Sequence, residues 1–430
     1  MRTNKLLLGI TLACLSFTLT IMAQKPVPER PRILISTDIG GTDPDDNQSM
    51  AHLLMYSNEF DIEGLVSSPS YGKGSTQEII RMIGLYEQEL PIFQQHASNW
   101  PSPSYLRSIT KQGRHGAAPY IGFDKPTEGS EWIVKCARKE SKQPLYVLVW
   151  GGLEDVAQAL HDAPDIASRI RVYWIGGPNK KWSINSYAYI AANFPKLWFI
   201  ENNASYRGFI YDSKNKDAYN CGYYEHYIKG ARLMGEDFAH YYKGNPKLGD
   251  TPSLLYMMDG DPKNPLKESW GGSFVKFNRS SRILFKGITT AKDTVPIYSI
   301  MEFHIKGPVQ KGMAIGTPCI TLTIDRQKWD GYYVGRGKYV VKFSTYKIGT
   351  LPYTITSVLP GFKALEGAIT IDNLWPGKSH KTDYRLGDNW FTDHQEPSLF
   401  WNNCQGAMTQ QKWRNEIMED WGKRWNWLKQ

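Results

Sequence analysis

The chain has 430 residues, of which 41% are hydrophobic, and its formal net charge at pH 7 is +9. This length accommodates two or three domains with full cores, and the apolar fraction is ordinary for a soluble globular protein. The basic excess is spread along the chain without a block of lysine or arginine, which argues against a nucleic-acid partner.

Residues 1–23 have the composition of a signal peptide. Arg2 and Lys5 precede an apolar run over residues 6–22, and Ala23 and Gln24 follow as a cleavage point. An uncleaved anchor and lipidation at Cys14 are the alternatives. No later segment is long and apolar enough to span a bilayer. We therefore expect an exported protein, periplasmic or extracellular, with no membrane contact beyond the export signal.

Four carboxylates follow the first β-run within nine positions: Asp38, Asp43, Asp45 and Asp46. The run over residues 33–35 predicts a buried parallel strand, and Gly40 and Gly41 predict the tight turn after it. Like charges at this density cost stability unless a cation or water compensates them. Oxygen ligands without Cys or His suit calcium or magnesium. A solvated turn whose aspartates cap the next helix is the structural alternative.

Strand-like and helical stretches alternate from residue 31 to residue 277, which predicts one α/β domain. The β-runs span residues 33–36, 62–66, 145–150, 172–175 and 197–200, and the helical stretches span residues 76–87, 130–139, 153–160 and 224–239. This alternation is typical of a mostly parallel sheet with helices on both faces.

Short alternating strands with turn residues between them fill residues 282–386. Their spacing predicts an antiparallel, all-β sandwich of immunoglobulin type. The scattered cysteines of the mature chain form no CxxC pair and no zinc pattern: Cys136, Cys221, Cys319 and Cys404.

A tryptophan-rich helix is predicted over residues 409–428, with Thr409 as its N-cap. Its apolar stripe comprises Trp413, Ile417, Trp421, Trp425 and Leu428. Such a stripe needs a partner surface, so we expect residues 388–430 to return to the α/β domain. The sandwich is then an insertion into a discontinuous domain.

The acidic loop resembles a motif of the nucleoside hydrolases. STDIGGTDPDD is similar to their DTDxGxDD loop, with Ser36 at the first acid, Asp38 at the second, two extra residues in the turn, and Asp45 and Asp46 as the terminal pair. Ser36 departs from the motif because it removes one acid.

Three later segments follow the order of the same family. GRHGAAPYIG resembles its His-Gly segment and contains His115. LVWGGLEDVAQAL resembles the segment that offers a backbone carbonyl to calcium, here that of Trp150. GDTPSLLY resembles the segment that supplies a further carboxylate, here Asp250, although Gly249 stands where some family members have a histidine.

The closer resemblance is to a secreted branch, the nucleoside-hydrolase-like domain of bacterial cellulose-binding proteins. This resemblance rests on three segments: TEGSEWIV, ESWGGSF and KWRNEIMEDWGKRWNW. The inserted sandwich resembles the immunoglobulin-like module found ahead of glycoside hydrolase barrels.

The resemblance implies a calcium ion held by Asp38, Asp46, Asp250 and the Trp150 carbonyl. Asp38 would be the general base toward a metal-held water, and Asp45 would accept hydrogen bonds from sugar hydroxyls. Asp43 has no counterpart in the motif, and we expect it to cap the following helix.

The candidate substrate-binding residues beyond the acidic loop are His115, Trp182, Asn185 and Asn193. The Glu-x-Asn sugar clamp of the family is missing from KKWSINSYAYIAANFP, where the two asparagines are substitutes.

Two functions therefore stay open. The first is an exported calcium-dependent hydrolase of an N-glycosidic, nucleoside-like or related glycosyl bond. The second is a polysaccharide-binding protein with a degenerate hydrolase site, so the expected partner is a small glycoside or a carbohydrate.

Overall fold

The computed structural model describes residues 29–41, 43–69, 72, 74–205, 208 and 222–430. The predicted signal peptide, Cys14 and Cys221 lie outside these residues. Within them, no helix combines the length and the hydropathy needed to cross a membrane.

The strands of the α/β region match the predicted β-runs. They are β1 (Arg32–Thr37), β2 (Asp61–Ser67), β3 (Thr110–Gln112), β4 (Leu145–Val149), β5 (Ile170–Ile175), β6 (Trp198–Asn202) and β7 (Val275–Lys276). Each predicted run falls on one of the five longer strands. The two short strands, β3 and β7, were not predicted because two or three residues are too few to show a period.

The later strands belong mainly to an all-β region. They are β8 (Arg279–Ser280), β9 (Arg282–Lys286), β10 (Thr294–Pro296), β11 (Ile300–Lys306), β12 (Pro318–Ile324), β13 (Gln327–Tyr333), β14 (Lys338–Phe343), β15 (Gly349–Thr356), β16 (Leu365–Asp372), β17 (Tyr384–Arg385) and β18 (Trp390–Thr392).

The helices of the described residues fall almost entirely within the α/β region. They are α1 (Asp45–Met55), α2 (Thr76–His96), α3 (Pro103–Ser108), α4 (Glu128–Arg138), α5 (Glu154–Asp162), α6 (Asn179–Trp182), α7 (Ile184–Asn193), α8 (Arg232–Phe238), α9 (Thr251–Met258), α10 (Met408–Gln411) and α11 (Arg414–Trp427).

Three predicted helix boundaries are wrong. Helix α2 continues nine residues past its predicted end, through Pro91. The helix expected over residues 224–239 is interrupted, because Gly230 at φ +84° ends a π-helical turn before α8 begins. Thr409 lies inside the short α10 and is not the N-cap of α11.

The main sheet is mostly parallel and has helices packed on it, as predicted. In the described residues its order is β3-β2-β1-β4-β5-β6-β18-β7, and the antiparallel pair is β18 with β7. The chain thus leaves the sheet after β7, forms the all-β region and re-enters the sheet through β18. The pairing of β7 with β18 places the two connections between the main sheet and the all-β region side by side. The exact domain boundaries, 31–277, 282–386 and 388–430, stay a prediction.

The all-β region that the sequence predicts is present. Its eight main described strands share one hydrogen-bonded order, β10-β16-β15-β12-β13-β14-β11-β9, while β8 pairs with β17. The expected all-antiparallel pairing is wrong at two places, because β10 with β16 and β9 with β11 are parallel. Both parallel pairs involve strands near the ends of the order.

Hydrophobic cores lie on both faces of the main sheet. Alternation along β1 sends Leu34 into one core and Ile33 and Ile35 into the other. The core on the Leu34 side continues into the all-β region, where it includes Trp375.

Helix α11 packs on the second core, together with α1. Trp421, Trp425 and Leu428 are fully buried there. The Trp421 ring stacks on His52 of α1 with 4.7 Å between centroids, and Arg424 donates a hydrogen bond to the Met55 carbonyl at 2.8 Å. The terminal helix therefore covers the α/β region, which is the surface that its apolar stripe requires.

The buried His52 gives this packing a pH dependence. Burial, and secondarily the charge of Arg424, lower the pKa of His52 to about 3. A base whose pKa is lowered by folding contributes stability above its unfolded pKa of about 6.5, and this contribution is lost as the pH falls toward 3. Between pH 4 and 6.5 the free energy of unfolding should therefore rise with pH, and His52 should contribute up to about 1.4 kcal/mol per pH unit to this slope. We expect His52→Phe to remove that contribution, measured by denaturant unfolding across the same pH range.

The exposed His240 provides the matched control. His240→Phe should leave the slope unchanged. Equal slopes in all three proteins would show that the neutral His52 ring does not limit acid stability.

Candidate functional site

The predicted metal-site residues gather at the carboxyl edge of the parallel strands. Asp38 follows β1 directly, Trp150 follows β4, and Asp250 immediately precedes α9. Gly40, at φ +83°, makes the turn that carries the chain from β1 toward α1. This edge is where open α/β sheets bind their ligands.

Three buried carboxylates converge at this edge. Asp45, Asp46 and Asp250 are 6%, 4% and 4% exposed, and each offers an oxygen within 4.8 Å of the others. The Asp250 Oδ2 atom is buried and has no hydrogen-bond partner among the described residues. Asp250 occupies the N-cap position of α9 but makes no side-chain cap. A capping role therefore does not account for its carboxylate.

Burial and mutual repulsion disfavour the ionised forms of these three carboxyls. Burial raises the pKa of Asp45 to about 8, and an ion pair with Lys247 opposes that shift. Burial also raises the pKa of Asp46 well above its usual range, and the Asp38 charge adds to it. For Asp250 the pKa is raised in the same way by burial and then by Asp46. The site therefore favours a cation or protons.

Lys247 supplies part of the missing positive charge, and the sequence analysis missed it. Its Nζ atom lies 2.5 Å from Asp43 Oδ2 and 2.8 Å from Asp45 Oδ2. The backbone amide of Lys247 donates to Gln48 Oε1 at 2.7 Å, which fixes this loop on α1. A lone lysine in a loop has no spacing signal by which it could have been found.

The expectation that Asp43 caps α1 is wrong. Pro44 is the N-cap residue of α1, and the helix has no side-chain cap. Asp43 instead pairs with Lys247, a partner more than 200 positions away in the chain.

Asp38 lies beside the converging set. Its carboxylate packs against the backbone of Gly151, where a Cβ atom would come within 2.7 Å of Asp38 Oδ1. Its charge reaches the cluster, because it raises the pKa of both Asp46 and Asp250. The Thr37 hydroxyl donates to Asp46 Oδ1 and so orients that carboxylate. The converging set thus contains Asp46 and Asp250, which were predicted as ligands, and Asp45, which was not, whereas the predicted ligand Asp38 lies beside the set.

The loop after β4 is fixed by hydrogen bonds at Trp150. The indole Nε1 donates to Ser253 Oγ at 2.7 Å, and the backbone amide donates to the Ser36 carbonyl at 2.7 Å. The Trp150 carbonyl accepts a hydrogen bond from Asn179 Nδ2 at 2.7 Å. A carbonyl oxygen has two lone pairs, so one remains for a further ligand.

Two predicted substrate residues lie at the junction with the all-β region. Trp182 packs against Trp329 of β13 with 4.5 Å between ring centroids. The buried Asn185 donates to the Ala118 carbonyl at 3.1 Å and to the Tyr332 hydroxyl at 3.3 Å. Both side chains thus contact other residues of the chain.

The other two predicted substrate residues are exposed. His115 lies on the loop whose Arg114 amide donates to Asp155 Oδ1 at 3.1 Å. Asn193 ends α7 and donates to the Tyr189 carbonyl at 2.8 Å. No contact of either residue with the acidic cluster is seen among the described residues.

The donor set fits a hard divalent cation. Ligand oxygens bound to one calcium ion at about 2.3 to 2.6 Å lie up to about 5 Å apart, which matches the separation within the cluster. The unpartnered Asp250 Oδ2 supplies a buried donor, and no histidine or cysteine belongs to the set. Oxygen-only ligands favour calcium or magnesium over zinc or copper.

The sheet, its covering helices and the acidic loop define a nucleoside hydrolase-like protein. Residues 32–274 match the family model described as cellulose-binding Sde182, nucleoside hydrolase-like domain. The chain belongs to this family, and the resemblance drawn from its motifs is confirmed. No curated protein matches the chain by sequence.

The chain is similar to several solved structures, including three from bacteria. A nucleoside hydrolase-related hypothetical protein from Saccharophagus degradans, associated with carbohydrate metabolism, is 18% identical with a TM-score of 0.50, covering 80% of this chain and 100% of its own. The inosine-uridine preferring nucleoside hydrolase of Bacillus anthracis is 14% identical, with a TM-score of 0.38 and coverages of 59% and 86%. The purine-preferring ribonucleoside hydrolase of Gardnerella vaginalis is 12% identical, with a TM-score of 0.37 and coverages of 58% and 84%. At 18% identity, the first similarity bears on the fold alone.

Metal loading should stabilise the protein through the acidic cluster. We expect calcium at 100 times its Kd to raise the free energy of unfolding by about 2.7 kcal/mol, and Asp46→Asn to abolish most of this gain. Differential scanning calorimetry in calcium and in chelator measures it. Asp330→Asn, at an exposed position of the all-β region, is the matched control and should keep the full gain. An undiminished calcium effect in Asp46→Asn would place the ion elsewhere.

The same measurement has an expected pH dependence. In chelator, a carboxyl whose folded pKa is raised contributes stability that is present below its unfolded pKa of about 4 and is lost as the pH rises toward 8. Calcium requires the deprotonated cluster and opposes that loss. The stabilisation by calcium should therefore be largest near pH 8 and fade toward pH 4, and a gain that is constant with pH would contradict this reading.

Proposed function

We propose that the protein is an exported, calcium-dependent hydrolase of an N-glycosidic, nucleoside-like or related glycosyl bond. The observation that carries the proposal is the convergence of three buried carboxylates, with an unpartnered Asp250 Oδ2, at the carboxyl edge of a nucleoside hydrolase-like sheet. The export rests on the sequence of residues 1–23.

Asp45, Asp46 and Asp250 would hold the ion, with the second lone pair of the Trp150 carbonyl as a further ligand. Bound calcium would supply a Lewis acid that lowers the pKa of a coordinated water and binds sugar hydroxyls. The burial and mutual repulsion of the three carboxylates are the reason why a cation would stabilise them there.

Asp38 would be the residue that accepts a proton. It is only half-buried, so water reaches it, and it lies beside the three ligands. In the proposed reaction, a water oxygen attacks the anomeric carbon, its proton passes to Asp38, and the bond to the leaving group breaks with its electron pair. Gly151 lets the Asp38 carboxylate approach the loop after β4 closely.

The second candidate function is carbohydrate binding without hydrolysis. Two observations favour it. Ser36 stands where the family motif has an acid, and the Asn185 amide is already hydrogen-bonded to Ala118 and Tyr332. The family description itself refers to cellulose binding.

Asp38→Asn should separate the two functions. The amide keeps the shape of the side chain but cannot take the proton, so we expect hydrolysis to fall by about 10² to 10⁴-fold. The substrates are a panel of nucleosides and nitrophenyl glycosides, each assayed with calcium and with chelator. Asp330→Asn, far from the cluster in the chain and exposed, should keep full activity.

The outcomes are distinct. Turnover that needs both calcium and Asp38 supports the hydrolase. Absence of turnover on the whole panel, combined with cellulose pull-down that is indifferent to chelator, supports the binding protein. Full activity of Asp38→Asn would rule out Asp38 as the base.

A further inference from the structure

A basic cavity of about 690 Å³ lies at the amino edge of the main sheet. It is lined by residues at the starts of β1, β5 and β6 and by the loops before them. Its charged lining residues are Arg32, Lys139, Glu140, Lys142, Arg169, Arg171 and Lys196. Six cations and one carboxylate therefore face one concavity.

Only two of these cations are engaged by a buried acid. Glu63 pairs with Arg32 at 2.8 Å and with Lys139 at 2.7 Å. Arg32 also donates to the backbone carbonyl of Gln143 at 2.9 Å, which ties the cavity wall to β1. Lys142, Arg169, Arg171 and Lys196 form no ion pair with a carboxylate of the described residues. The cavity thus keeps a positive charge that an anion can neutralise.

Arg171 is held rigidly at the cavity wall. Its guanidinium lies 5.4 Å from the Tyr146 ring centroid and 5.3 Å from that of Trp198, and its Nη1 donates to the Tyr146 hydroxyl at 2.8 Å. Stacking of this kind pre-organises a planar donor and lowers the entropy lost on binding an oxyanion.

The cavity is separate from the acidic cluster. Arg32 begins β1 and Asp38 follows its last residue, so six strand residues lie between the two edges. At roughly 3.3 Å per residue, this places the two sites about 20 Å apart. A ligand in the basic cavity would not touch the carboxylates, so the two sites can be tested independently.

We propose that the basic cavity binds an oligosaccharide that bears carboxylate or sulfate groups. Its volume lies in the range of small-ligand sites, about 300 to 1,000 Å³, whereas a nucleic acid needs an extended basic stripe. The cations suit oxyanions. Ser168 and Asn389 beside them donate to the Asp165 and Lys196 carbonyls, and their side-chain oxygens can still accept hydrogen bonds from sugar hydroxyls. The inference does not depend on the proposed hydrolase activity.

Isothermal titration calorimetry on the full chain tests the proposal. The probes are trigalacturonate for carboxylates, a sulfated chondroitin disaccharide for sulfates, neutral cellotriose, and inorganic phosphate. All titrations contain chelator, which removes calcium-mediated binding. The test variant is Lys142→Ala/Lys196→Ala, and the matched control is Lys311→Ala/Lys381→Ala in the all-β region; all four lysines are exposed, so both variants should fold.

We expect one or both acidic saccharides to bind, cellotriose to bind much more weakly, and the test variant to lose about tenfold in affinity. The control variant should bind like the unmodified chain. The two acidic probes decide between carboxylate and sulfate.

Four results would overturn the proposal. These are no binding of either acidic saccharide, an equal loss in both lysine variants, cellotriose binding as tightly as the acidic probes, and phosphate binding alone. The last result would indicate a site for a free anion.

Discussion

The repulsion among buried carboxylates at the end of β1 is the constraint on which the site depends. Asp45, Asp46 and Asp250 are nearly inaccessible to water, and burial raises the pKa of each of them. Ionised carboxylates in a low-dielectric environment are tolerated only beside a cation or strong donors. Lys247 compensates one side of the cluster, and Thr37 donates to Asp46. The remaining charge is what a divalent ion would neutralise.

The fold makes this arrangement possible because it surrounds α1, the helix that contains Asp45 and Asp46, on all sides. All residues of α1 are buried, including the polar ones, because α2, α9 and α11 surround it. The stacking of His52 on Trp421 and the bond from Arg424 to the Met55 carbonyl connect α1 to the last helix of the chain. A helix fixed in this way can keep Asp45 and Asp46 close together despite their repulsion, since the rigid surroundings prevent them from separating.

The all-β region braces the other side of the site. Lys181 donates to Gln327 Oε1 at 2.9 Å, beside the contact between Trp182 and Trp329. These contacts hold α6, the same helix whose Asn179 reaches the Trp150 carbonyl. The candidate substrate residues Trp182 and Asn185 thus both contact the all-β region. The all-β region therefore helps to position the loop after β4 beside the acidic cluster.

The sequence by itself determined the two fold classes, the β-runs of the main sheet and the acidic loop, because strand period, turn residues and motif order are local properties. The family resemblance grouped Asp250 with Asp46, but only the tertiary structure decided that Asp45 is the third carboxylate that converges with them. It also revealed the pairing of Lys247 with Asp43 and the engagement of Asn185 by Tyr332. Contacts between residues far apart in the chain leave no periodic signal in the sequence. The charge states of the carboxyls depend on their burial, which the sequence alone does not show. The sequence therefore located the carboxylates, and packing decided how they interact.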